Sequence, residues 1–230
     1  MQRAFLAVAT CLFPTSSLLA DGPVTMFASG DTMMVAQDGH GSLTGFAVDV
    51  FRCAMTNMNR EHLVRSAPIS RSAIIMAQPN NTVWFPTAME GSEERRTRLV
   101  GPIGNLNVVW LTKKDYDIAP DSAEFKEKAR TTAYSSSAMA RWLEQENYNY
   151  VKGSADRNRV LSMIMADQVD AILSIDFRDS LPKDMQALAH EKLKATLYKA
   201  IPVGYQASPH LAANNPNFVN NFKKTLGDCL

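Results

Sequence analysis

Residues Val83–Thr112 read VWFPTAMEGSEERRTRLVGPIGNLNVVWLT. The reading of this stretch decides the fold: an apolar strand, a polar turn with a clustered Arg pair, a Gly-Pro stop and a second apolar strand. The first strand delivers Thr87 to a sheet end, and Ser92, Arg95 and Arg96 follow within a few residues. Together they can turn hydroxyl, backbone N–H and guanidinium groups on one small anion. A planar guanidinium suits that task because it grips a carboxylate with two parallel hydrogen bonds. A solvated charged turn between two strands accounts for the same residues, and this stretch alone leaves both readings open.

Outward from it, strands and helices alternate. Short apolar runs predict strands at Val24–Ser29, Glu61–Ala67, Thr82–Pro86, Val108–Thr112, Tyr148–Val151 and Val169–Ser174. Val50, Phe51, Ala54, Met55 and Met58 recur at helical spacing within Ala47–Met58, and Asp156–Ala166 and Asn217–Leu226 also read as helices. The glycines of QDGHGS, Gln37–Ser42, mark a hairpin turn. Serines at 135–137 precede an apolar-periodic helix through Met139, Trp142 and Leu143, so they are N-cap candidates whose helix N-terminus can receive an anion. This alternation predicts an α/β fold with mostly parallel strands. The polar, Pro-containing segment Lys113–Asp121 predicts a division into two lobes.

The chain start predicts export. A basic Met1-Gln2-Arg3, an apolar Ala4–Phe13 and SSLLA at Ser16–Ala20 read as a signal peptide over 1–20, cut after Ala20 and leaving a soluble periplasmic protein. Removing those residues takes one basic residue, Arg3, from the 24 present, leaving 23 against 23 acidic ones. A neutral chain offers no general field for nucleic acid or anionic membrane, so specificity rests on a local site. Cys11 leaves with the leader. The remaining pair, Cys53 and Cys229, suggests one disulfide in an oxidising compartment, two unpaired thiols being the alternative.

At this point a resemblance becomes legible. SLTGFAVDVF (Ser42–Phe51), VWFPT with EERRTRLVGPI (Val83–Ile103), TAYSSSAMARWL (Thr132–Leu143) and ADQVDAILS (Ala166–Ser174) occur in an order and spacing that resemble extracellular solute-binding proteins of family 3. These are type II periplasmic binding proteins that present polar amino acids to bacterial ABC importers. The resemblance implies two α/β lobes joined by two hinge strands, with crossings near Leu111–Lys114 and Tyr198–Val203. Lobe 1 then comprises 21–112 plus 203–230 and lobe 2 comprises 113–202.

It also implies roles. Arg95 matches the Arg that clamps a ligand carboxylate, Thr87 a contact beside it, and Ser136 and Ser137 the second-lobe residues closing on the same group. Arg96 and Arg98 compete with Arg95, since a one-residue register decides which faces inward. The implied partners are a small amino-acid-like or other carboxylate solute and a membrane permease or sensor. The chain is expected to be a monomer with no cofactor, metal or catalytic activity.

Three departures stand out. Methionines of DTMMV (Asp31–Val35) replace an aromatic platform. Glu90 stands where a small hydroxyl residue is usual. The acid that holds a ligand ammonium aligns at Ile175, with Asp176 one place off, and one residue in a strand turns a side chain to the other face. Glu90 can therefore supply the amine contact, or repel anions and favour a cation. Two other readings stay open: a degenerate module whose surface binds another protein, and a dehydratase-like enzyme with Glu90 as an enclosed general acid. His40, His62, His190 and His210 lie far apart and lack metal-ligand spacing.

Overall fold

The computed structural model describes residues 22–29, 31–32, 34–135 and 137–230. The expected leader, Met33 and Ser136 lie outside them. The described part begins with β1 (Val24–Ala28), followed by a small antiparallel sheet of β2 (Asp31–Thr32), β3 (Val35–Gln37) and β4 (Leu43–Thr44). Helix α1 (Phe46–Asn57) buries Ala47, Val48, Val50, Phe51, Ala54 and Met55, the one-face stripe its spacing predicts. It starts at Gly45, whose φ of 110° is open to glycine, and where a Cβ would lie 2.8 Å from the Met34 carbonyl oxygen.

Strand β5 (His62–Ser66), helix α2 (Ser72–Ala77), strand β6 (Thr82–Ala88) and the one-turn helix α3 (Glu93–Arg96) follow. Then comes β7, continuous from Leu99 to Lys113, with α4 (Ala123–Lys128), β8 (Thr131–Thr132), α5 (Ala138–Gln145), α6 (Arg157–Met165), β9 (Ala171–Ile175) and α7 (Lys183–Lys192) after it. The chain returns along β10 (Leu193–Ala207) and ends with α8 (Pro209–Asn214) and α9 (Phe218–Leu226).

One sheet, ordered β5-β1-β6-β10-β7-β9-β8, unites the chain. Its parallel pairs are β5 with β1, β1 with β6, and β8 with β9. The long strands β7 and β10 pair antiparallel from Lys113↔Leu193 to Leu99↔Gln206 and run through both halves of the sheet. In the half holding β1, β5 and β6, apolar residues of α1, α9 and the strands share one continuous core. In the half holding β8 and β9, strand alternation splits the core in two. Val109, Leu111 and Ile172 face a cluster with residues of α6 and α7, while Val108, Trp110, Ala171 and Leu173 face one with α4 and α5. That half of the sheet is therefore covered on both faces, as parallel pairing requires.

The α/β expectation holds, with helices flanking a sheet whose parallel pairs sit in its two halves. The Gly-Pro stop does not: Gly101-Pro102 lies inside β7. Pro102 is tolerated there because the register slips between Val203↔Gly104 and Tyr205↔Val100, so the missing N–H falls in an irregularity and breaks no ladder bond. The strand expected at Tyr148–Val151 shrinks to a single bridge, Thr131↔Tyr150. Cys53 and Cys229 form the expected disulfide. Among the described residues no helix is long and apolar enough to cross a membrane.

Candidate functional site

Strand direction picks out the site. β6 is antiparallel to β10 and β7 is antiparallel to β10, so β6 and β7 run the same way, while β9 runs against β7. The C-terminal ends of β6 and β9 therefore point at each other across the middle of the sheet. Ala88 near the end of β6 pairs with Val203, and Ile175 at the end of β9 pairs with Val108, which meets Lys199. Lys199 and Val203 are four positions apart along β10, so the two ends lie about 13 Å apart at ~3.3 Å per residue. Among the described residues only β7 and β10 bridge this gap in the sheet, and β1 and β8 aim their following loops at it from parallel neighbours. In open α/β sheets ligands bind outside the carboxyl ends of strands.

Thr87, near the end of β6, is buried and paired with Gly204. Glu90 is exposed and its carboxylate lies 3.7 Å from Lys199 Nζ on β10, so it is neither free nor enclosed. An enclosed acid of the dehydratase kind is not what this arrangement provides. Ser92 caps α3 by accepting from the Arg95 N–H at 3.3 Å. Arg95 is half-buried; its aliphatic stem lies over Gly91, where a Cβ would meet Cδ at 2.9 Å, and its Nε donates to Gln206 Oε1 at 3.4 Å. Arg98 donates to the Ala207 carbonyl at 3.4 Å and sits 3.5 Å from Glu94. Arg96 is exposed.

Across the gap, Ser137 caps α5, accepting from the Ala140 N–H at 3.0 Å, as the serine run suggested. Thr87, Glu90 and Arg95 thus gather on one side, while Ser137 stands on the other with bonds inside its own turn and helix.

Several features of the gap escaped the sequence reading. Asp176 is gripped by Arg178, whose Nε and Nη2 donate at 3.0 and 2.7 Å, while Nη1 donates to the Leu193 carbonyl at 3.3 Å. Burial alone would raise the Asp176 pKa, yet the hydrogen bonds and charge of Arg178 hold it below the ordinary carboxylate value. The pair is two residues apart, a spacing too common to signal a fork in advance. Met34 packs on the β7 backbone, where a Cβ at Gly104 would lie 2.5 Å from its methyl carbon. Met89 Sδ lies 2.9 Å from a Cβ built at Gly204. Ile175 and Ile201 pack against the first-half core beside Ile103 and Leu106. The bridging segments expose Asn105, Asn107 and Lys199 and bury Leu106 in the core.

Two other concavities lie away from the strand ends. One, about 580 Å³, sits between the end of α1 and α8–α9, lined by Asn57, Asn215 and Asn221 among others. The second, about 420 Å³, lies at the opposite, N-terminal ends of β1 and β6. Among the described residues no group of three or more His, Cys, Asp or Glu is placed to hold a metal.

No protein-family model matches the chain, and no curated protein matches its sequence. Solved structures share its fold. Arginine-bound ArgBP from T. maritima aligns with a TM-score of 0.66 at 14% identity, covering 92% of this chain and 98% of that one. A histidine kinase sensor domain with similarity to periplasmic binding proteins aligns with a TM-score of 0.67 at 14% identity, covering 90% of each chain. The L-cystine solute receptor of Neisseria gonorrhoeae, unliganded and open, aligns with a TM-score of 0.61 at 16% identity, covering 90% of this chain and 86% of that one. At these identities the likeness establishes the fold.

Proposed function

We propose that this chain is a periplasmic solute-binding protein that captures a small carboxylate-bearing solute in the gap between two lobes. The observation that carries this reading is the convergence of strand ends: β6 and β9 deliver their C-termini to one gap bridged by only two strands. Two strands leave each half free to rotate about them, the geometry of hinge closure. The lobes divide where β7 and β10 cross the gap, at 104–108 and 199–203, so the first crossing falls a few residues before the expected Leu111–Lys114 and residues 108–112 go with lobe 2. A leader over 1–20 directs export. Solved structures of this fold include amino-acid-binding proteins and a sensor domain, which supports a client that is either an importer or a receptor.

Arg95 is the principal anchor. Its single bond to the neutral Gln206 amide is long at 3.4 Å, and a carboxylate offers two parallel bonds and an opposite charge in its place. Thr87 supports it from β6, Ser137 closes from the second lobe at the start of α5, and its chain neighbour Ser136 serves the same contact. Glu90 lies beside Lys199, and Glu94 of the same turn as Arg95 faces Arg98. The protein acts as a monomer and performs no chemistry of its own.

The test is calorimetric titration of the exported protein, unfolded and refolded to strip carried-over solute, with amino acids, small di-acids, aromatic acids and polyamines. A carboxylate ligand is expected to bind, and Arg95→Ala to weaken it at least a hundredfold with the unfolding transition unchanged. Retained affinity moves the anchor to Arg96 or Arg98. A silent panel favours the reading of a degenerate module that binds another protein.

A further inference from the structure

We infer that the solute is an organic carboxylate with an apolar tail and no ammonium group, so that the gap discriminates against α-amino acids. This rests on the solute-binding reading and narrows it. A zwitterion needs two opposite partners, a cation for its carboxylate and an acceptor set for its ammonium. Enclosing an ammonium without a carboxylate is among the costlier burials, because its desolvation goes uncompensated.

Of the two carboxylates nearest the facing strand ends, Asp176 is committed to a cation of the chain and Glu90 lies exposed beside one. Asp176 holds the fork of Arg178 at 2.7 and 3.0 Å, and the same Asp accepts from the Arg178 backbone N–H at 3.2 Å. Arg178 is further pinned to the Leu193 carbonyl. Drawing Asp176 to a ligand would strand a guanidinium that is 15% exposed. Glu90, on the other side, faces Lys199 at 3.7 Å.

The residue that ends β9 is Ile175, which packs against the first-half core with Ile201. Met34 and Met89 lie on the glycines of the bridging strands, and the exposed polar residues there, Asn105, Asn107 and Lys199, carry no negative charge. Thioethers and branched aliphatics solvate a hydrocarbon tail and offer an ammonium nothing. Arg95 and Arg96 stand on the β6 side and supply positive charge for an anion.

Matched pairs test this directly. The stripped, exported protein is titrated with L-leucine, 4-methylpentanoate and 4-methyl-2-oxopentanoate, and with L-phenylalanine and 3-phenylpropanoate. Expected is binding of at least one deaminated acid tenfold or more tighter than its parent amino acid. Ile175→Asp, which places a carboxylate at the end of β9, should reverse that preference by a further tenfold. Arg178→Gln, which releases Asp176, should raise amino-acid affinity without a new group in the core, and serves should Ile175→Asp fail to fold. Parent amino acids binding as tightly as their deaminated partners overturn the inference and leave the solute-binding reading intact. Silence from every acid, amino acid and polyamine overturns both.

Discussion

The two halves of the sheet are built by the same strand-and-helix recipe and held together differently. In the half with β1, β5 and β6, Phe51, Phe85, Tyr205 and Phe222 interlock in one core, with ring centroids 5.1 to 6.1 Å apart. Tyr205 Oη donates to the Ala47 carbonyl at 2.6 Å, and burial pushes that phenol far above its ordinary pKa, so it stays a neutral donor. These residues come from both ends of the chain, and the disulfide joins Cys53 to Cys229 over a separation of 176 residues. The half with β8 and β9 is instead one contiguous stretch. Its core is divided by the sheet, and charged forks tie its edges, Arg130 to Asp170 at 2.6 and 3.0 Å and Arg178 to Asp176. Trp142, Tyr148 and Tyr198 stack around Trp110. An assembly of distant segments must offset a large loop-closure entropy, whereas a contiguous one closes through shorter loops.

The sharpest way to break this contrast is to remove the cross-link. Cys53→Ser with Cys229→Ser should lower stability by about 5 kcal/mol, the chain-entropy value for a loop of this length. Hydrogen exchange should then rise in α1 and α9 well before α5 and α6; equal rises in both halves would show that the halves do not differ as described. Next in size, Phe222→Ala should cost ~3–5 kcal/mol in urea unfolding, because a fully buried ring leaves a cavity among Phe51 and Tyr205. Leu161→Ala in the divided core should cost less, ~2–3 kcal/mol, and a reversed order would move the stability centre to the second half.

Smaller effects sharpen the electrostatic side. The hydrogen bonds and charge of Arg130 depress the Asp170 pKa, so this carboxylate adds stability above the unfolded value of about 3.9 and loses it as pH falls through its folded value. Asp170→Asn should therefore cost about 1 kcal/mol at pH 7, a figure reduced for the partly exposed Arg130, and progressively less as pH falls. Unfolding midpoints across pH 2–7 decide it, and a gap between the two proteins that stays constant as pH falls would refute an ionic origin. Lys113→Ala removes the pair with Asp167, which is 75% exposed, and should shift stability by at most ~0.5 kcal/mol, vanishing in high salt.

Much of the fold was readable because periodicity reports burial directly. The α1 stripe and the cap at Ser137 both follow from local pattern. Helix α7 was not anticipated, since it buries only Ala189 among its residues and so shows almost no apolar stripe. Arg95 was legible as an Arg near a strand end, but its leaning on Gln206 was not, because Gln206 is 111 residues away in the chain. Asp176 looked like a spare acid until Arg178 closed on it.

Local pattern sufficed for most element types and the α/β class, and residue parity suggested the Cys53–Cys229 bridge without excluding two free thiols, because hydrophobic spacing acts locally. The passage of β7 through Gly101-Pro102, the facing ends of β6 and β9 and the Arg178 grip on Asp176 came from the tertiary structure alone. Those outcomes depend on register and on partners distant in sequence, and a one-residue slip in a strand reverses the face on which every side chain stands.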